Sequence, residues 1–250
     1  MEMAEQACDY HEVDGRKIAF RHVAGTGPTI VFLPGYMSDM DGSKATAIHD
    51  WAKREGRACL LLDYSGCGRS SGTFGEGTLT RWKDEVLALI EAKVEGPVLL
   101  VGSSMGGWLM LLVGMALESE QPRRLHAMVG IAAAPDFTSW GYDREQKAAL
   151  AAGQTVFEDN PYGPMPTPTH PGFWQDAQLQ RMLIREVPLT CPTRLLHGQE
   201  DDEVPSDISV LLMRALASGD VQGVLVKGGD HRLSRPQDIA LLQRTLETLL

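Results

Sequence analysis

The sequence predicts an α/β fold in a single domain: a mostly parallel eight-stranded sheet with helices on both faces, opened by an antiparallel hairpin. Three observations predict it. Short apolar runs alternate with amphipathic stretches of ten residues or more, the pattern of repeated strand–helix–strand units. The runs at 29–33, 58–62, 98–101 and 127–132 carry almost no polar break, as strands covered on both faces require. Asp14-Gly15, between two alternating runs near the start, is a dipeptide that favours a type I′ hairpin turn.

In chain order, Tyr10 to Val13 and Lys17 to His22 form that hairpin, and Thr29 to Leu33 is the first buried strand. It ends at Pro34-Gly35-Tyr36. A helix from Lys44 to Glu55 stops at Gly56, a residue suited to the left-handed position after a helix. Ala58 to Asp63 is the next strand, and Thr80 to Val94 is a helix with Trp82, Val86, Leu89 and Ile90 on one face. Pro97 to Leu112, PVLLVGSSMGGWLMLL, then reads as strand, tight turn and apolar helix. Strands at Ala127 to Ala132, Thr193 to His197 and Gly223 to Val226 follow, with helices at Ser206 to Leu216 and Pro236 to Leu250.

One stretch breaks the alternation. Residues 136–189 insert a helix from Asp143 to Ala152, with Asp143 and Gln146 spaced as a capping box, then the proline-rich NPYGPMPTPTHPG and a helix near Phe173 to Arg185. The expected division is therefore a core of residues 1–135 and 190–250 carrying a small helical, proline-rich lid at 136–189. Phe157, Phe173, Trp174, Leu179 and Met182 are expected to supply its apolar wall.

A formal charge of −10 disfavours binding to nucleic acid phosphates or anionic headgroups. No apolar stretch is long enough to span a bilayer, so no integral membrane segment is expected. The start, MEMAEQACDYHEVDG, is acidic and lacks a basic leader, which predicts a cytoplasmic protein. Four cysteines without zinc spacing read as free thiols, and neither a metal nor a cofactor is expected.

The chemistry centres on Gly102-Ser103-Ser104-Met105-Gly106. The pattern Gly-x-Ser-x-Gly is common in a chain with 26 glycines, and Gly68 to Gly72 matches it too, around Ser70. Only Ser104 lies between an apolar strand and an apolar helix, the setting of a nucleophile elbow, in which the serine projects from a strained turn. A serine hydroxyl needs a base within hydrogen-bond reach and a carboxylate to orient that base. Of seven histidines, His231 follows the last strand at the carboxyl end of the sheet, where ligands of such sheets bind. His197, at the end of a strand, is expected to shape the next loop. For the acid, HGQEDDEVP offers Asp201 and Asp202, with Asp136 a more distant candidate; the spacing His-Gly-x-x-Asp-x-x-Val-Pro selects Asp201. Backbone N–H groups of Met105 and Tyr36 are the expected oxyanion donors.

The segments PGYMSDMDGSKA, DYSGCGRSSG, VGSSMGGWLM, CPTRLLHGQEDDEVP and GGDHR together resemble the acyl-protein thioesterase family of α/β-hydrolase-domain proteins known from mitochondria and bacteria. The resemblance implies an α/β-hydrolase fold and a cofactor-free serine hydrolase that removes long acyl chains from cysteine thioesters, with ester hydrolysis beside it. It implies Ser104 as nucleophile, Asp201 as acid and His231 as base. Two other readings stay open: a small-molecule carboxylesterase with a short acyl pocket, and a non-catalytic ligand-binding α/β-hydrolase fold.

Overall fold

The computed structural model describes residues 7–160 and 163–250. Residues 1–6 of the acidic start, and Pro161 and Tyr162 of the proline-rich segment, lie outside the described residues. Asp14 and Gly15 adopt φ of 46° and 76°, the left-handed pair that a type I′ turn needs, and join β1 (Asp9–Val13) to β2 (Arg16–Val23). The chain continues through β3 (Thr26–Leu33), α1 (Ser43–Arg54), β4 (Arg57–Leu62), α2 (Leu79–Lys93), β5 (Val98–Ser103), α3 (Met105–Glu120) and β6 (Leu125–Ile131). An insertion holds α4 (Phe137–Trp140), α5 (Arg144–Ala151), β7 (Val156–Glu158), β8 (Thr167–Thr169) and α6 (Pro171–Leu179). Then β9 (Thr193–Gly198), α7 (Asp207–Ala215), β10 (Val221–Val226) and α8 (Pro236–Glu247) complete the fold.

The 8-stranded sheet runs β1-β2-β4-β3-β5-β6-β9-β10. β2 is antiparallel to β1 and β4, and the remaining neighbours are parallel. Successive strand residues face opposite layers: Val31 and Leu33 pack with Trp82 and Leu89 of α2 and Trp108 of α3, while Ile30 and Phe32 pack with Ile48 and Trp51 of α1 and Leu242 of α8. After β3 the chain moves to one side, to β4, and then returns to β5 on the other. The carboxyl ends of β3 and β5 therefore form the switch point at which such sheets open a crevice.

The predicted elements are present, with shifted ends. The insertion differs most. α5 carries the expected capping box: Asp143 Oδ1 accepts from the Gln146 N–H at 2.8 Å, and the Gln146 side chain accepts from the Asp143 N–H at 2.9 Å. The proline-rich segment pairs β7 with β8 as a small antiparallel hairpin, invisible to periodicity because each strand has only three residues. The helix expected near Phe173 to Arg185 instead runs Pro171–Leu179. It stops there because other groups claim the following backbone: the Gln180 carbonyl accepts from Trp108 Nε1 at 3.0 Å, and the N–H groups of Met182 and Leu183 bond the Asp136 carboxylate at 2.7 and 2.9 Å. Among the described residues no helix is long and apolar enough to cross a membrane.

β5 and α3 meet at a crossing with no room for a side chain. A Cβ on Gly106 would lie 2.1 Å from the Leu33 carbonyl oxygen and 2.4 Å from that of Pro34, and one on Gly102 would lie 2.3 Å from the Gly106 carbonyl oxygen. These are backbone atoms, so relief requires moving β3 or α3. Gly106→Ala is expected to lower unfolding free energy by about 3 kcal/mol or more. Gly153→Ala is the comparison: at φ +82° with nothing within 4 Å, it carries only the left-handed penalty of about 1 kcal/mol. Urea unfolding of both variants checks this, and equal losses would show that the crossing is not tight.

Candidate active site

Ser104 sits between the last residue of β5 and the first of α3 with φ 54° and ψ −122°. A non-glycine residue in that region costs on the order of 1–3 kcal/mol and persists only where its surroundings over-determine it. Here three backbone hydrogen bonds do so. The Ser104 N–H donates to Ile131 O at 2.9 Å, and its carbonyl accepts from Gly107 at 2.8 Å and Ala134 at 3.0 Å. The hydroxyl is thus held out at the carboxyl end of the central strand.

The loops after β9 and β10 bring up Asp201 and His231. His231 Nδ1 lies 2.9 Å from Asp201 Oδ2, and His231 Nε2 lies 3.1 Å from Ser104 Oγ. A carboxylate only accepts, so the proton of the neutral ring belongs on Nδ1, leaving Nε2 free to take the serine proton. Asp201 has a fully covered side chain. Its Oδ1 accepts from the N–H groups of Glu203 at 3.0 Å and Val204 at 2.8 Å. Burial opposes its ionisation, but hydrogen bonds from His197 and His231 outweigh that and hold the carboxyl well below the ordinary carboxylate range. Asp202 is exposed at the edge of the cavity, and of the two adjacent aspartates it is Asp201 whose carboxylate meets His231.

His197 does more than shape a loop. It is fully buried, with Nε2 3.1 Å from Asp201 Oδ2 and 2.9 Å from the Val204 carbonyl, and Nδ1 2.7 Å from Ser209 Oγ. Two acceptors around Nε2 place the proton there, so the Ser209 hydroxyl donates to Nδ1. Asp201 Oδ2 therefore receives donors from two histidines. The signal in the sequence was the four-residue spacing of His197 and Asp201.

The remaining candidates have structural partners. Asp136, buried with φ 60°, spends both carboxylate oxygens on Met182 and Leu183, and does not reach His231. Its burial pushes the carboxyl up, against the effect of those two N–H groups. Ser70 accepts from the Ala19 N–H at 2.8 Å and donates to the Asp63 carbonyl at 2.6 Å, stitching the loop after β4 to β2.

Tyr36 and Met105 both line the cavity at Ser104. Met105 heads α3, where the first N–H groups have no acceptor within the helix. The Pro34-Gly35-Tyr36 loop abuts the serine closely enough that a Cβ on Gly35 would lie 3.4 Å from Ser104 Cβ. The Tyr36 ring packs edge-on to Phe74 with centroids 5.0 Å apart, and its hydroxyl donates to the Pro168 carbonyl of β8 at 3.0 Å. Burial raises its phenol well above the usual range, so it stays a neutral donor.

The cavity measures about 690 Å³. Phe137, Trp140 and Tyr142 line it, as do Lys44, Arg232 and Ser234. The Lys44 ammonium donates to the Arg232 carbonyl, and burial, reinforced by the Arg232 charge, pushes its pKa down to about 8. The five apolar residues expected to wall the cavity do not line it. Phe157 and Leu179 are exposed, Phe173 and Met182 are buried in the core, and Trp174 turns its indole N–H to the Thr138 carbonyl. The insertion borders the cavity instead through Trp140, Tyr142, Glu158, Asn160 and Thr167. Among the described residues no cluster of His, Cys, Asp or Glu is placed to hold a metal ion.

Residues 30–240 match the model of the α/β hydrolase family. The chain is 36% identical over 242 residues to the mitochondrial palmitoyl-protein thioesterase ABHD10 of Homo sapiens, covering 93% of this chain and 76% of that protein. Its fold superposes with a TM-score of 0.90 on a crystal structure from Agrobacterium vitis S4, at 34% identity over 98% of this chain and 99% of the other. On α/β hydrolase domain-containing protein 10 from mouse the TM-score is 0.89, at 34% identity and 98% of each chain. The expected cytoplasmic location is corrected by the palmitoyl-protein thioesterases ABHD10 of Homo sapiens and Mus musculus, which are named as mitochondrial proteins. The acidic start that suggested it reports local charge and not compartment.

The environment of Asp201 predicts how stability depends on pH. Its folded-state pKa lies below its ordinary value near 3.9, so the ionised carboxylate contributes stability in full above about pH 4 and loses it as pH falls further. Asp201→Asn removes that titration. Unfolding free energies from urea titrations at pH 7 and pH 3 are expected to differ by less in the variant than in the parent, by about 1 kcal/mol. An unchanged difference would mean that the carboxylate is not stabilised by its donors.

Proposed function

The chain belongs to the α/β hydrolase family, and from that membership we propose that Ser104, His231 and Asp201 form a catalytic triad that cleaves acyl thioesters and oxyesters. The observation that carries the proposal is the continuous hydrogen-bond chain from Ser104 Oγ through His231 to Asp201 Oδ2 at the floor of the cavity. As Ser104 Oγ attacks the acyl carbon, His231 Nε2 takes its proton and Asp201 stabilises the imidazolium that forms. The backbone N–H groups of Tyr36 and Met105 receive the oxyanion of the tetrahedral intermediate. His231 then returns the proton to the departing sulfur or oxygen, leaving an acyl-serine. Water enters, gives its proton to His231 and repeats the cycle in reverse.

Thiols ionise near pH 8.5 and water near 15.7, so a thiolate needs less help in leaving than an alkoxide, and thioesters suit this site. Relatives named palmitoyl-protein thioesterases support a long S-acyl chain as the physiological group. In this reading residues 136–189 act as a lid over the cavity, with Trp140 and Tyr142 at its inner surface. One observation favours the short-acyl carboxylesterase instead: the cavity wall includes Glu158, Asn160, Lys44 and Arg232, a poor surface for a long aliphatic tail.

Ser104→Ala is expected to lower kcat on a matched thioester by roughly 10⁵ to 10⁶. Ser70→Ala is expected to keep most activity and to lose about 1–2 kcal/mol of stability, since its two hydrogen bonds are structural. Asp201→Asn is expected to reduce kcat by roughly 10⁴ and Asp202→Asn by less than about tenfold. Initial rates of the four purified variants decide the matter; comparable losses at the two aspartates would remove Asp201 from the triad.

A further inference from the structure

A second cleft, about 460 Å³, opens beyond the loop that follows β3. Met37, Cys67, Thr73, Phe74, Pro168 and His170 line it, together with three glycines. No carboxylate, ammonium or guanidinium group faces it, in contrast to the catalytic cavity. Burial pushes the Cys67 thiol up to about 12, so its floor stays uncharged at neutral pH.

The two spaces share one wall. Met37 lines both, while on β8 Thr167 lines the catalytic cavity and its neighbour Pro168 lines the cleft. Between them the Tyr36 hydroxyl is bonded to the Pro168 carbonyl, which fixes the partition. Met37 itself forms part of that partition. It is 47% exposed and holds φ 55°, a left-handed conformation that a non-glycine residue keeps only at a cost. Its unbranched thioether adapts readily to an aliphatic neighbour. Met37 follows by two residues the glycine that abuts Ser104, so along the chain the partition begins no more than about 7 Å from the nucleophile's neighbour.

Resting on the acyl-hydrolase reading above, we infer that the distal methylenes of a long acyl chain bound to Ser104 leave the catalytic cavity past Met37 and lie in this cleft. The carbonyl end stays among the polar groups at the serine, and the tail is spared contact with Lys44, Arg232 and Glu158. Met37 then sets chain-length preference, and the cleft takes an aliphatic chain.

The test fills the cleft without touching the catalytic residues. Thr73 is exposed and its side chain caps nothing, so Thr73→Trp can place an indole in the cleft without breaking a bond of the fold. In a thioester series from acetyl to hexadecanoyl, the parent is expected to show kcat/KM rising with length. Thr73→Trp is expected to leave acetyl and butanoyl rates within about twofold and to cut the dodecanoyl rate by about tenfold or more. Equal losses at every length, an undiminished dodecanoyl rate, or a flat series in the parent would overturn the assignment. A second measurement does not depend on turnover: a dodecanoyl analogue with the thioester sulfur replaced by methylene and a diazirine at its tip. Crosslinks to residues 66–75 support the cleft, and crosslinks confined to Met37 and residues 137–160, or none at all, overturn it. Failure of the parent to cleave any thioester would overturn the acyl-hydrolase reading, while the crosslinks would still decide where the chain lies.

Discussion

The constraint on which the molecule depends is the crossing of β5 and α3 beneath the end of β3. Ser104 can hold a left-handed conformation because Gly102 and Gly106 let three backbone segments approach without side chains between them. Ile131 and Ala134 from the next strand and its loop then bond Ser104 on both sides. The same contact sets the Pro34-Gly35-Tyr36 loop against the serine. Ser104 and the Pro34-Gly35-Tyr36 loop are therefore positioned by one packing event, and the strain at Ser104 is offset by the apolar layers that surround α3.

Around this crossing the acidic part of the site is built for permanent charge. Asp201 has no exposed side-chain surface, yet two backbone N–H groups and two imidazoles donate to it. Donors on every side make ionisation favourable despite burial. His197 is itself held by Ser209 and the Val204 carbonyl, so the loop after β9 is cross-braced by contacts that do not involve His231. This arrangement suits a group that must orient a histidine and remain an anion while doing so.

The insertion is tied to the core at points that matter for the cavity. Asp136 secures its far end through Met182 and Leu183, Trp108 of α3 bonds the Gln180 carbonyl, and Tyr36 bonds Pro168. An aromatic cluster of Tyr36, Phe74, Trp82, Phe137 and Phe173 fills the space between. Phe173 serves that cluster and not the cavity.

The sequence by itself determined the sheet, the elbow and the identities of Ser104, His231 and Asp201 as candidates. Those depend on local signals: uninterrupted apolar runs for doubly covered strands, Asp14-Gly15 for the turn, glycines at fixed offsets from a serine, and a motif spacing in one loop. Only the tertiary structure decided which of Asp136 and Asp201 meets the histidine, because that depends on which distant backbone N–H groups claim each carboxylate. It also decided that His197 braces Asp201, that Ser70 is structural, and that the apolar residues of 136–189 turn into the core or out to solvent. A side chain's hydrophobicity shows that it seeks cover. Which of two neighbouring spaces supplies that cover is set by long-range packing, in which residues far apart in the chain compete for the same contact.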